Sequence, residues 1–181
     1  MKRLWTPWRM SYLKAPKESK GGCIFCDKIR QNRSKDRENL VVWRGKRAFA
    51  VLNLYPYSNG HLMVAPYRHT GELESLDGAT LQEMMLLVGE SIRALRRMMN
   101  PQGFNVGANL GRVAGAGVED HVHLHIVPRW GGDASFMPVL ADVRIIPELL
   151  PQTYDGLLEA FKVERKKPRK PPAKIRRKEK R

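Results

Sequence analysis

Seven consecutive residues, His121-Val122-His123-Leu124-His125-Ile126-Val127, carry three imidazoles in strict alternation. In an extended chain alternate side chains share a face, so the histidines project one way while Val122, Leu124 and Ile126 project toward a core. Neutral imidazole is both a common metal ligand and a nucleophile of near-neutral pKa, so the array points to metal ligation or covalent catalysis. Just upstream runs Asn109-Leu110-Gly111-Arg112-Val113-Ala114-Gly115-Ala116-Gly117. Its glycines let backbone amides turn toward an anion and Arg112 adds charge, which reads as a phosphate cradle beside a nucleophile. Cys23-x-x-Cys26 is one half of a metal knuckle. No second cysteine pair exists, so further ligands have to be histidines distant in sequence. A thioredoxin-like role is disfavoured because the βαβ context is missing.

These groups need a scaffold that sets them side by side. Between residues 40 and 66 short apolar runs alternate with turn residues: Val41-Val42-Trp43, then Ala48 to Leu52, then His61 to Ala65 stopped by Pro66. They read as three antiparallel strands. From about Asp77 the spacing lengthens. Leu81, Met84, Met85, Val88, Ile92, Leu95 and Met99 recur three or four apart, predicting one long amphipathic helix that ends at Asn100-Pro101. Two more strands are expected, over 105–109 and 121–127, joined by the glycine loop. A short helix follows from Gln152 with Leu157, Leu158 and Phe161 on its apolar side. The fold class is α+β, an antiparallel sheet of about five strands with one long helix and a short C-terminal helix.

The 181 residues suit one compact domain. Lys and Arg number 33 against 18 Asp and Glu, a formal net charge of +15, and ten of those net charges fall within residues 162–181. The expected organisation is a domain over 1–161 and a disordered basic tail over 162–181, because KKPRKPPAKIRRKEKR has three prolines and almost no apolar residues. Such a polycation is a solubility extension or a nonspecific contact for RNA and other polyanions. No apolar stretch reaches the ~20 residues of a membrane helix. The basic start MKRLWTPWRMSYL lacks the apolar run of a secretion signal, and two cysteines in one pair imply a reducing compartment. A cytoplasmic protein without membrane contact is expected.

His-x-His-x-His followed by Pro128-Arg129 resembles the histidine triad (HIT) superfamily of nucleotide hydrolases and transferases. Cys23-Ile24-Phe25-Cys26, Asn53 eight residues before His61, and Val64-Ala65-Pro66 leading to His69 agree with it, so the likeness covers about residues 3–161. Asn53 and Pro128-Arg129 resemble the fragile-histidine-triad branch, whose members split dinucleoside polyphosphates, more than the phosphoramidase branch. The run PRWGGDASFMPV resembles bacterial members of the diadenosine tetraphosphate phosphorylase type. The resemblance implies a HIT-like fold, a homodimer, a nucleotide substrate and no organic cofactor. It makes His123 the nucleophile toward an α-phosphate, through a nucleotidyl-histidine intermediate resolved by water or phosphate. His125 and Asn109 then hydrogen-bond the phosphate oxygens, His121 orients the group, Asn53 holds the ribose and His61 lies near the nucleoside. Gly115, Gly117 and Val118 fall in the nucleotide-binding loop. The resemblance also implies a structural zinc on Cys23, Cys26, His69 and His121.

The sequence departs from that pattern at the loop end. Many members have Gln followed by Ser or Thr where this chain has Gly117-Val118, so leaving-group protonation comes from elsewhere. The interval from Asn109 to His121 is also one residue longer. Two other readings compete. One is a metal-dependent hydrolase using His121 and His123 as an HxH ligand pair, with His125 or His61 as a third ligand. The other is a non-catalytic nucleic-acid-binding protein acting through the tail.

Overall fold

A computed structural model describes residues 22–133 and 148–166. The N-terminal run, the 134–139 end of PRWGGDASFMPV and the tail beyond 166 lie outside the described residues. Helices α1 (Ile24–Arg30) and α2 (Asp36–Asn39) precede strands β1 (Val41–Arg44), β2 (Ala48–Leu52) and β3 (Leu62–Pro66). Helix α3 (Gly78–Met99), strands β4 (Gly103–Gly107) and β5 (Leu124–Arg129) and helix α4 (Leu150–Lys166) follow. The strands make one antiparallel sheet in the order β1-β2-β3-β5-β4. The α+β class, the five strands and the long helix are as the sequence predicts. Among the described residues no helix is long and apolar enough to cross a membrane.

Strands β2 and β3 are buried on both faces, because the sheet is covered unequally on its two sides. Ala48, Ala50, Leu52, Leu62, Val64, Val122 and Ile126 face the large core built by α3 and α4. Phe49, Val51, Met63 and Ala65 face a small cluster completed by Val41 and by Phe25 of α1. Alternation over residues 121–126 therefore puts Val122, Leu124 and Ile126 on the large core and the histidines on the side of α1.

Helix α3 begins where Asp77 accepts hydrogen bonds from the Thr80 amide and hydroxyl, at 3.0 and 2.7 Å, and ends on Asn100 in the left-handed conformation. Met84, Val88 and Leu95 are buried as expected, but Met85 is 58% exposed. The face that meets the sheet runs through Met84, Leu87, Ser91 and Ala94, which leaves Met85 on the outer side. Helix α4 is longer than the expected short helix. It carries residues 162–166, placed in the tail by composition, because tertiary ion pairs hold its last turn. Glu164, almost fully buried, takes Arg93 and Arg97 of α3 at 3.0 and 2.7 Å, and Arg165 pairs with buried Glu90 at 3.2 Å while lying 3.9 Å over the Trp43 ring.

Candidate functional site

Two features bring the cysteines to the sheet. Cys23 caps α1 and Cys26 sits in its first turn, so both thiols share one side of the helix end. The other end of α1 is held by Arg44, whose side chain is only 10% exposed. Its guanidinium donates to the carbonyls of Ile29, Lys28 and Gln31 and to both oxygens of Asp36, which satisfies the helix C-terminus and neutralises a nearly buried charge in one stroke.

The thiols meet His121 and His69. Cys23 Sγ lies 3.3 Å and Cys26 Sγ 3.6 Å from His121 Nδ1, Cys26 Sγ lies 3.5 Å from His69 Nδ1, and the two Nδ1 atoms are 3.4 Å apart. All four donor atoms lie within 4.8 Å of one another. Tetrahedral zinc with Zn–S near 2.3 Å and Zn–N near 2.05 Å requires S···N edges of about 3.6 Å and an N···N edge of about 3.3 Å, so the donor set fits that ion. His121 Nε2–H donates to the Pro66 carbonyl at 2.9 Å, which fixes the tautomer with a lone pair on Nδ1 facing the thiols. Burial lowers the His121 pKa and raises that of Cys26, the latter helped by neighbouring Cys23. The first shift keeps the imidazole neutral, as a metal ligand has to be, and the second keeps the thiol protonated until a cation lies beside it.

His121 and His123 precede the hydrogen-bonded part of β5, which starts at Leu124 rather than at His121, yet the alternation holds: Val122 packs in the large core while His121 and His123 both meet Phe25. A row of rings results. Phe25 lies 4.8 Å from His123, His123 lies 4.8 Å from His125, His125 lies 5.1 Å from His61, and Tyr57 stacks on His61 at 4.9 Å.

Hydrogen bonds fix the protons along this row. His123 Nδ1–H donates to the His121 carbonyl at 2.8 Å, which leaves a lone pair on His123 Nε2. His61 Nδ1 accepts from the Tyr57 amide at 3.1 Å and from Asn53 Nδ2 at 3.2 Å, so its proton sits on Nε2, which donates to His125 Nδ1 at 2.9 Å. His125 is left with Nε2–H as its outer donor. Adjacent imidazoles thus present opposite functions, an acceptor on His123 and a donor on His125. Burial lowers the His123 pKa, and burial followed by the proximity of His123 pushes His125 down to about 4, so both stay neutral at physiological pH.

The remaining predicted residues lie around this row. Asn53 carries out an orienting task within the protein: its Oδ1 accepts from the Tyr55 amide at 3.0 Å while its Nδ2 holds His61. Gly60, at φ +72°, makes the turn before His61, where a Cβ would meet Leu95 and Met99 at 2.8 Å. Asn109 lies beyond β4, which runs over 103–107 rather than 105–109, and its Nδ2 donates to the Gly115 carbonyl across the loop at 3.3 Å. Within that loop Gly111 and Gly115 adopt positive φ, but the amides of Arg112, Gly115 and Ala116 already serve Glu119 and loop carbonyls. Gly117 is exposed, and Val118 packs against the small cluster that contains Phe25. An HxH ion site on His121 and His123 is not built, since His121 aims its free nitrogen at the cysteines. Tyr57 and Phe25 escaped the sequence reading. Their signals were a Tyr-Pro-Tyr turn ahead of His61 and an aromatic residue enclosed by Cys-x-x-Cys.

Residues 34–132 match the HIT domain family. The chain belongs to that family. This HIT protein is 46% identical over 159 residues to a Mycobacterium tuberculosis protein named AP-4-A phosphorylase, covering 84% of this chain and 80% of the relative. It is 31% identical over 107 residues to the adenosine 5'-monophosphoramidase of Schizosaccharomyces pombe, covering 59% of this chain and 74% of the relative. Among solved structures, a Zn-bound histidine triad family protein from Mycobacterium smegmatis superposes with a TM-score of 0.65 at 27% identity, covering 81% of this chain and 97% of that one.

Proposed function

We propose that this HIT enzyme cleaves dinucleoside polyphosphates of the diadenosine tri- or tetraphosphate type by transferring a nucleotidyl group to His123. The observation that carries the reading is the His123 bond to the His121 carbonyl, which commits Nδ1 to donating and leaves Nε2 as a neutral nucleophile. Nε2 attacks the α-phosphorus in line, the N–P bond forms, and the P–O bond to the leaving nucleoside polyphosphate breaks. His125 Nε2–H donates to an oxygen of the transferring phosphoryl group as charge builds there. Asn109 is the second phosphate contact, and Asn53 with His61 supports the nucleoside side. Water or inorganic phosphate then attacks phosphorus, restores the lone pair and releases a nucleoside mono- or diphosphate. The 46% identical relative named AP-4-A phosphorylase favours phosphate as the acceptor.

Gly117-Val118 bears on the bond that is cleaved. A polyphosphate leaving group, whose terminal ionisation lies near a pKa of roughly 6, can depart as the anion and so depends little on the proton donor that the sequence places elsewhere. An amine leaving from a phosphoramidate needs one. A loop end without a hydroxyl therefore favours anhydrides over phosphoramidates.

Cys23, Cys26, His69 and His121 would hold a zinc ion, which supplies a structural crosslink when bound because all four positions are protein ligands. The homodimer of the reading uses β4, an edge strand whose Asn105, Val106 and Gly107 are exposed. Incubation with diadenosine tetraphosphate, with and without phosphate, tests the reaction. ADP and ATP are expected with phosphate, and AMP and ATP without it. Failure to cleave both this dinucleotide and diadenosine triphosphate, assayed in the same way, refutes the reading.

A further inference from the structure

Phe25 lies between the two cysteines and is only 1% exposed. Its ring is 5.1 Å from that of His121, tilted by 50°, and 4.8 Å from that of His123, tilted by 43°. Its far side meets Phe49 edge-on at 6.3 Å. Cys23 and Cys26 share one side of the helix end, and Phe25, a residue before Cys26 and so about 100° round the helix, faces the sheet instead.

A single hydrogen bond at Nδ1 does not by itself orient an imidazole. The χ2 torsion of histidine is broad, so the bond chooses between the two ring flips but leaves the plane of the ring loosely held. Packing has to fix the plane, and two rings border His123: Phe25 at 4.8 Å, tilted by 43°, and His125 edge-on at 4.8 Å and 72°. We propose that Phe25 is a positioning residue for the nucleophile: its ring holds the His123 imidazole in the slot where Nδ1–H keeps the His121 carbonyl and Nε2 faces the phosphate. The inference rests on His123 being the nucleophile. It also links two parts of the site mechanically, since the turn that presents both cysteines to the zinc ligands carries the wall of the nucleophile's slot. Α core-filling role alone would let leucine replace Phe25 without kinetic effect.

The test compares Phe25→Leu and Phe25→Ala with the natural protein, measuring kcat and KM on diadenosine tetraphosphate, zinc content, and the imidazole nitrogens by long-range 1H–15N spectroscopy. Misplacement of a reacting group by 1 Å costs on the order of 100-fold, so kcat should fall roughly tenfold in the leucine variant and about 100-fold in the alanine variant, with KM within about twofold. Zinc content should be unchanged, and the single His123 tautomer of the natural protein should broaden or split. If the alanine variant does not fold, the leucine variant, which leaves the smaller void, carries the test. Full kcat in Phe25→Leu overturns the inference, as does a loss of kcat with unchanged imidazole spectra, or one that tracks loss of zinc. His123→Ala is assayed in parallel. Turnover surviving there overturns the nucleophile itself, whereas a dead His123→Ala beside a fully active Phe25→Leu overturns only the role of Phe25.

Discussion

Replacing His123 by glycine removes the proposed nucleophile and opens a slot. Loss of a covalent nucleophile costs on the order of 10⁶-fold in kcat in enzymes whose residues act as a unit, and a drop of that size is expected here. The ring is only 5% exposed, and the His121 carbonyl loses its donor, so the cavity and the unmade bond together cost about 2–4 kcal/mol. The melting temperature falls by roughly 10 °C, but the domain stays folded because the large core lies on the opposite face of the sheet. The vacated space is bounded by Phe25 and His125, each 4.8 Å from the missing ring, which is the room one free imidazole needs. Imidazole acting from bulk solution at about 0.1 M, against an effective molarity of at least 10⁵ M, would restore only about a millionth of the rate. Imidazole seated in the slot should restore on the order of a thousandth to a hundredth of it, and saturably. The assay follows nucleotide release from diadenosine tetraphosphate while imidazole is titrated against His123→Gly. Rescue that is absent, or linear without saturation, refutes the slot. Retained turnover in His123→Ala refutes the covalent mechanism.

Protein purified without chelator should carry about one zinc per chain by metal analysis, and less than roughly a tenth of an equivalent refutes the site. Arg44→Ala leaves Asp36 and three helix carbonyls without their shared partner, and should cost about 3 kcal/mol by denaturant unfolding and weaken zinc retention; an unchanged midpoint refutes this. His61→Phe removes the donor that fixes the His125 proton, so kcat should fall by up to 10²-fold on the scale of one lost phosphoryl-oxygen donor, with ring stacking preserved. Unchanged kcat would show that His125 needs no such lock. The pKa of His125, about 4 in the folded state, lies below that of an unfolded histidine near 6.5. The unfolded chain therefore takes up the proton first, and stability should be complete above pH 6.5 and decline as pH falls toward 4. Thermal melts in which His125→Gln is as acid-sensitive as the natural protein would assign that decline to other groups.

The triad was legible because period-two alternation is a local signal, and the long helix because its apolar residues repeat over many turns. Boundaries that depend on distant partners were not. Helix α4 runs past Phe161 through charged residues that would read as tail, and only Glu90, Arg93 and Arg97 on another helix reveal why. Helix α1 is seven residues long, too short to display a period, and its C-terminus is satisfied by Arg44 from a strand. The cysteines were visible as half a metal knuckle, but their partners His69 and His121 came from resemblance, since no spacing rule joins residues 43 and 95 positions away from Cys26. The tautomers were beyond the sequence altogether. They follow from a backbone amide at Tyr57 and carbonyls at Pro66 and His121, groups that every residue carries and no composition distinguishes.

The unequal coverage of the sheet gives the molecule two regimes of breathing. The side packed by α3 and α4 holds most of the buried apolar residues, whereas the side facing α1 is a small cluster with Phe25 at its centre. Amides of α3 and of β2 and β3 should exchange with deuterium only through global unfolding, and those of α1 through a local opening of lower free energy. The proposed chemistry would therefore sit on the face expected to open and re-form while the rest of the domain stays intact. Substitutions there leave the large core on the other face in place.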